Sequence, residues 1–134
     1  MDTQHKPEPE ESREARLGIV KQVRVVLSPD AEEVFLSLNK EAANSKIESS
    51  ILRAIQKKVE LIKANIHYGV PVAKNLIPAE YKIKYGITNL FRVELPNYWR
   101  MLYTLTDGDT TIEIVAFVLD IMDHKKYNKK FGYK

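Results

Sequence analysis

Arginine and proton-transferring side chains gather in the last third of the sequence. Arg100 lies within YWRMLY, and a guanidinium between apolar neighbours on a strand must face a polar side or find a partner. Two uses compete for it. One is an ion pair with Glu94 on the neighbouring strand. The other is a grip on a phosphodiester through arginine's planar fork of donors. Arg92 stands two residues before Glu94, so strand alternation puts both on one face. His124 and Tyr127 occur in DHKKY, where a helix would place them on one side at i, i+3. Histidine transfers protons near neutral pH, and tyrosine does so when its pKa is lowered. The competing role for Tyr127 is to staple the chain end to the core together with Phe131.

Other chemistries find little support. The chain has no phosphate-cradling glycine loop, no GxSxG and no HExxH. His5, His67 and His124 are far apart, and the carboxylates are scattered rather than paired as a glycosidase requires. No metal site and no cofactor are expected. Cysteine is absent, which excludes disulfides, thiolate-held zinc or iron–sulfur centres, and a thiol nucleophile.

These residues must be positioned by a single domain. The chain has 134 residues, 44% hydrophobic and 29% charged, enough for one domain with its own core. Residues 1–16 are polar, with Pro7 and Pro9, and read as a disordered tail before a domain spanning 17–134. No apolar run approaches the ~20 residues of a membrane helix. The first residues lack the apolar stretch of a secretion signal, so a soluble, cytoplasmic protein is expected. The net charge of +3 is unevenly spread: +3 over residues 74–100, −4 over 101–120 and +4 over 121–134. If the fold joins the two basic blocks, they form a surface for a polyanion. The alternative is a solvated lysine-rich end.

The expected order is β-α-α-β-β-β. Residues 19–27, IVKQVRVVL, read as a β-branched strand. Ser28 and Pro29 open a helix over 29–39, with Ala31, Val34, Phe35 and Leu38 on one face. Ser45 and Glu48 have capping-box spacing for a second helix, striped by Ile51, Leu52, Ile55, Val59 and Ile62 and ending near Asn65. The two helices form an antiparallel hairpin. Residues 66–89 read as irregular, with an extended piece at Tyr81–Tyr85. Strands follow at Leu90–Leu95, Tyr98–Leu105 and Thr110–Leu119, with a Pro96-Asn97 turn and an Asp107-Gly108 hairpin signal between them. The run Ile114–Leu119 is nearly continuous in apolar residues and suits a strand buried on both faces. The expected fold is α+β, a small twisted antiparallel sheet backed on one face by the hairpin and open on the other.

Residues 23–127 resemble the RelE/ParE superfamily of toxins from toxin–antitoxin pairs. The resemblance is carried by VRVVLSPDAEE before the helical hairpin, by KNLIP before NLFRVELP, and most specifically by YWRMLYTLTDGDTTIEIVAFVLDIMDHKKY. It implies a RelE-like fold and, in the RelE-like branch, ribosome-dependent cleavage of mRNA. That cleavage uses the ribose 2′-hydroxyl as nucleophile, without a metal. In the ParE-like branch the same fold inhibits DNA gyrase and is not a nuclease. The alternative is therefore a non-enzymatic binding protein, either a gyrase-inhibiting toxin or an inactive superfamily member. The implied partners are a cognate antitoxin protein, the ribosome and mRNA, with no membrane and no small-molecule cofactor.

By the same resemblance, Arg100 matches the phosphate-contacting arginine of the family's Y-R-L-V-Y strand. Tyr127 and His124 match the C-terminal catalytic tyrosine and a nearby histidine. Arg92, Lys74, Lys125 and Lys126 are candidate RNA- or phosphate-binding residues. Tyr81-Lys82-Ile83-Lys84 reads like a lysine-bearing catalytic strand, but Lys84 lies 16 residues before Arg100. NLFRVEL takes that strand position instead, residues 79–89 become an insertion, and Lys82 and Lys84 are expected to reach the site only from a loop. Glu94 then occupies a position at which the family places a lysine.

Overall fold

The computed structural model describes residues 22–108 and 113–133. The tail expected over 1–16, His5, and the centre of the last hairpin connection at 109–112 lie outside the described residues.

Strand β1 (Gln22–Leu27) leads into helices α1 (Pro29–Glu41) and α2 (Lys46–Ala64). A two-residue strand β2 (Val70–Pro71), a 3-10 turn (Lys74–Leu76) and helix α3 (Ala79–Tyr85) follow. Strands β3 (Phe91–Leu95), β4 (Trp99–Asp107) and β5 (Glu113–Met122) form a meander, and helix α4 (His124–Phe131) closes the described chain. Both expected caps form. The Ser28 hydroxyl accepts from the Ala31 amide at 3.0 Å and donates to the Leu119 carbonyl at 2.7 Å, so one buried hydroxyl starts α1 and ties it to β5. Ser45 accepts from the Glu48 amide at 3.4 Å while its hydroxyl meets the Glu48 carboxylate, the reciprocal capping box.

Among the described residues the architecture is α+β, four helices on a five-stranded open sheet of order β1-β5-β4-β3-β2. The sheet is mixed rather than wholly antiparallel as expected, because β1 runs parallel to β5. A parallel pair needs a long crossover, and the 85 residues between Leu27 and Glu113 supply it. On one face, Ala31, Leu38, Ile51, Leu52, Ile55 and Ile62 of the helical hairpin pack against Val93, Met101, Tyr103, Ala116 and Val118. Each fully buried aliphatic side chain there contributes roughly 1.5–3 kcal/mol.

The second face is not open. Leu102, Leu119 and Met122 form a second core with Ile77, Tyr81, Leu90 and Tyr127 beneath α3 and α4. The apolar run of β5 explains this: a strand with Leu119 and Met122 on that side needs cover from water. The cover includes the stretch Tyr81–Tyr85, which is a helix rather than an extended piece. Its Tyr81 and Tyr85 project inward at i, i+4, while Ile83 is exposed. Pro78 before it and Gly86 after it, at φ +62°, delimit the helix.

Candidate phosphate-binding site

Strand alternation sends Arg92, Glu94, Arg100 and Leu102 to the second face. Glu94 pairs directly with Arg100 across the β3–β4 ladder, and Arg92 with Leu102. The Glu94 carboxylate lies between the two arginines, 3.0 Å from Arg92 Nε and 3.1 Å from Arg100 Nε. These are charge contacts. Neither Nε–H aims along an acceptor among the described residues, although both nitrogens are shielded from water. Arg100 Nη1 donates instead to the Trp99 carbonyl at 3.2 Å. The side chains of Arg100 and Arg92 retain 19% and 32% of their exposure, and Glu94 56%, so the carboxylate is the most accessible member.

Helix α4 completes the site. Asp123 caps it, its carboxylate accepting from the Lys126 amide at 2.9 Å, so the helix starts one residue after β5 and folds back over the sheet. That geometry buries Tyr127 against both arginines. Its hydroxyl accepts from Arg92 Nη1 at 3.3 Å, and the Arg100 guanidinium carbon sits 5.4 Å from its ring centre, a cation–π contact. Phe131 stacks on the Tyr127 ring, centroids 4.4 Å apart. The hydrogen bond to Tyr127 is the main reason the Arg92 guanidinium is pushed above its ordinary pKa, against the opposing effect of partial burial.

His124 is exposed at the first position of α4, one turn before Tyr127. Its ring packs against that of Tyr98 in a T-shaped pair, centroids 5.9 Å apart. Tyr98 belongs to the β3–β4 turn, in which Asn97 and Tyr98 both have left-handed backbones, φ +60° and +63°. Two consecutive positive φ values are those of a type I′ turn, whose twist suits a hairpin. Asparagine tolerates that conformation; for tyrosine it costs ~1–2 kcal/mol.

The structure therefore brings Arg92, Arg100 and Tyr127 into contact, with His124 beside them. It distributes the lysines differently. Lys84 is drawn to Asp30 at 3.0 Å, which raises its pKa. Lys74 and Lys82 line a separate shallow cleft with Ile77, Ile87 and Thr88. Lys125 is exposed on α4, and Lys126 turns with Lys129 and Lys130 toward a cleft of about 530 Å3 that also holds Asp30, Glu33, Glu80 and Asp120.

That cleft contains a network absent from the sequence reading. A register shift leaves Leu119 as the extra residue between the pairs Leu102–Asp120 and Tyr103–Val118. The bulge brings Asp120 under α3, where Tyr81 Oη donates to Asp120 Oδ2 at 2.6 Å and Lys130 Nζ donates to the same oxygen at 3.1 Å. Lys130 also bonds Glu80 at 3.0 Å. The bracket of Pro78 and Gly86 was the available signal for α3; the bulge left none. Tyr98 was equally silent, since its strain comes from the turn geometry and not from its residue type.

Among the described residues, no three His, Asp or Glu side chains converge as metal ligands, and no helix is long and apolar enough to cross a membrane. Comparison of the chain with protein-family models, curated proteins and solved structures returns no match.

Proposed function

We propose that the protein is a RelE-like toxin of a toxin–antitoxin pair, an endoribonuclease that cuts ribosome-bound mRNA through the ribose 2′-hydroxyl without a metal. The observation that carries this reading is the convergence of Arg92 and Arg100 on Tyr127, two guanidiniums on one face with an exposed carboxylate between them. A paired guanidinium site of this kind suits a phosphodiester, because charge-assisted hydrogen bonds from arginine to phosphate oxygens are strong.

In this reading the 2′-oxygen attacks the adjacent phosphorus, and the bond to the 5′-oxygen of the next nucleotide breaks. The products are a 2′,3′-cyclic phosphate and a free 5′-hydroxyl. Glu94, the exposed carboxylate between the arginines, takes the 2′-OH proton. His124, exposed one turn before Tyr127, delivers a proton to the leaving 5′-oxygen. Arg92 and Arg100 stabilise the charge that grows on the phosphate. Tyr127 is a positioning residue: its ring and hydroxyl hold the two guanidiniums. The reading carries with it a cognate antitoxin as partner and a cytoplasmic location.

Two observations favour the non-enzymatic alternative, in which the same fold only binds. Glu94 offsets one of the two positive charges it touches, and Tyr127 is only 4% exposed. The test is a cell-free translation reaction with wild-type protein beside Arg100→Ala, with new mRNA ends mapped. The nuclease reading expects ribosome-dependent cuts that fall by about 10²–10³ in rate in the variant. Intact mRNA and full translation at a large excess of folded wild-type protein would favour the binding alternative.

A further inference from the structure

We propose that Tyr98, with His124 beside it, is a stacking platform for an unpaired base of the RNA whose backbone the arginines hold. The inference rests on the phosphate-binding reading above and adds a base-contacting residue to it.

Three observations combine. Tyr98 is 72% exposed, so its ring contributes little to either core. Its backbone is left-handed, φ +63°, a conformation that glycine or asparagine adopts at far lower cost. Strain kept at an exposed aromatic residue, where a cheaper residue would close the same turn, points to a use for the ring. The position supplies that use. Tyr98 sits two residues before Arg100, and its ring meets that of His124, one helical turn from the tyrosine the guanidiniums grip. The I′ turn holds the ring at the end of the β3–β4 hairpin, where its neighbour is the His124 ring.

A single strand of nucleic acid presents both groups such a surface accepts, a phosphate every nucleotide and a flat base beside it. Every base has a π-face, so stacking here tolerates sequence while it fixes which nucleotide lies over the arginines. Tyr98 is thus a specificity and register residue, placed to seat the base next to the phosphate that Arg92 and Arg100 bind.

The test compares binding of a fluorescein-labelled octaribonucleotide with an abasic octamer of the same charge. Wild type should prefer the base-bearing strand by about 5- to 150-fold, the range of one base–aromatic stack. Tyr98→Gly and Tyr98→Asn should abolish the preference, leave affinity for the abasic strand unchanged, and raise the thermal midpoint by relieving the left-handed strain. Arg100→Ala should weaken both strands. If both Tyr98 variants bind RNA as wild type while Arg100→Ala still weakens it, the platform is wrong and the phosphate site stands. If Tyr98→Asn lowers the thermal midpoint, the ring is structural and the platform is wrong. If wild type binds neither strand, both readings fall.

Discussion

Glu94 and Arg100 face each other across the β3–β4 ladder, and the Glu94 carboxylate lies 3.1 Å from the Arg100 guanidinium while also touching Arg92 at 3.0 Å. One acid between two bases leaves a net positive site with a proton acceptor at its centre. Of the two uses that the sequence leaves open for Arg100, the contact with Glu94 is the one observed, and the proposed phosphate grip would be a second state of the same cluster. The carboxylate occupies the space between the guanidiniums. In the proposed reaction it is the group that would stand next to the substrate.

Glu94→Gln separates the two roles. The substitution keeps the shape and removes the negative charge, so RNA should bind more tightly. Cleavage should fall by about 10²–10⁴, the contribution of a general base. Folding should change little, because a half-exposed ion pair contributes at most ~1 kcal/mol. Binding assays and mapped cuts on one preparation would check this. A variant that cuts as fast as wild type would remove Glu94 from the mechanism.

Tyr127 is tested by two substitutions that differ in what they leave behind. Tyr127→Phe keeps the ring beneath Arg100 and against Phe131, and loses only the hydroxyl that Arg92 reaches at 3.3 Å. It should cost ~0.5–1.5 kcal/mol in a urea melt. Tyr127→Ala empties a buried aromatic site and should cost ~3–5 kcal/mol. A positioning role adds a second expectation: the Phe variant should cleave more slowly with the same pH profile. A profile that loses its alkaline limb in Tyr127→Phe would instead make the hydroxyl itself a proton carrier.

Much of this was legible in the sequence, and the failures have identifiable causes. The hairpin helices follow from Ser28, Pro29, Ser45 and Glu48, whose caps form as their spacing requires. Alternation along FRVEL and WRMLY was enough to put Arg92, Glu94 and Arg100 on one face. The covered second face does have a signal in the sequence, since a β5 run apolar on both sides demands a second layer. Tyr81–Tyr85 misled because YKIKY alternates at period two, while its inward pair, Tyr81 and Tyr85, also fits i, i+4. The placement of Tyr127 under the arginines depends on α4 folding back immediately after Asp123. That is a tertiary event with no local signature.

The Tyr81–Asp120–Lys130 network predicts how stability depends on pH. Burial, and then Asp120 beside it, hold the Tyr81 phenol well above its ordinary pKa. For Lys130, burial works to lower the pKa, but the bonds to Glu80 and Asp120 and the charge of Asp120 outweigh it, and the net direction is up. Both groups keep their protons longer folded than unfolded. Their contributions are therefore intact below the ordinary values of about 10 and are lost as pH rises beyond them toward the folded values. The urea midpoint should hold level up to about pH 9.5 and fall above about pH 10. Tyr81→Phe should be less stable at neutral pH yet decline less steeply above pH 10. Equal slopes for the two proteins would show that Tyr81 does not carry the alkaline transition.

Gly69 supports the arginine strand from behind. Its amide donates to Tyr103 Oη at 2.9 Å, and that hydroxyl donates onward to the Ile66 carbonyl at 2.8 Å, tying the loop before β2 to the middle of β4. A Cβ at position 69 would lie 2.9 Å from Tyr103 Cε1, 3.0 Å from Phe91 Cβ and 3.1 Å from the Arg92 carbonyl oxygen. Two of these neighbours belong to β3, and the Phe91 and Tyr103 rings are themselves stacked at 5.1 Å. The strand must therefore shift or the loop must lift away. Gly69→Ala should cost ~1–3 kcal/mol, as overpacking of a close-packed contact does. Because the displaced residues include Arg92, RNA binding should also weaken, although position 69 touches no phosphate in the proposed site. Tyr103→Phe removes the hydroxyl bridge and leaves the ring that a Cβ would strike. The two changes share partners, so their costs in a double-mutant cycle should differ from the sum by more than ~0.5 kcal/mol. Strict additivity, or a Gly69→Ala protein as stable as wild type, would mean that this close approach does not set the position of β3.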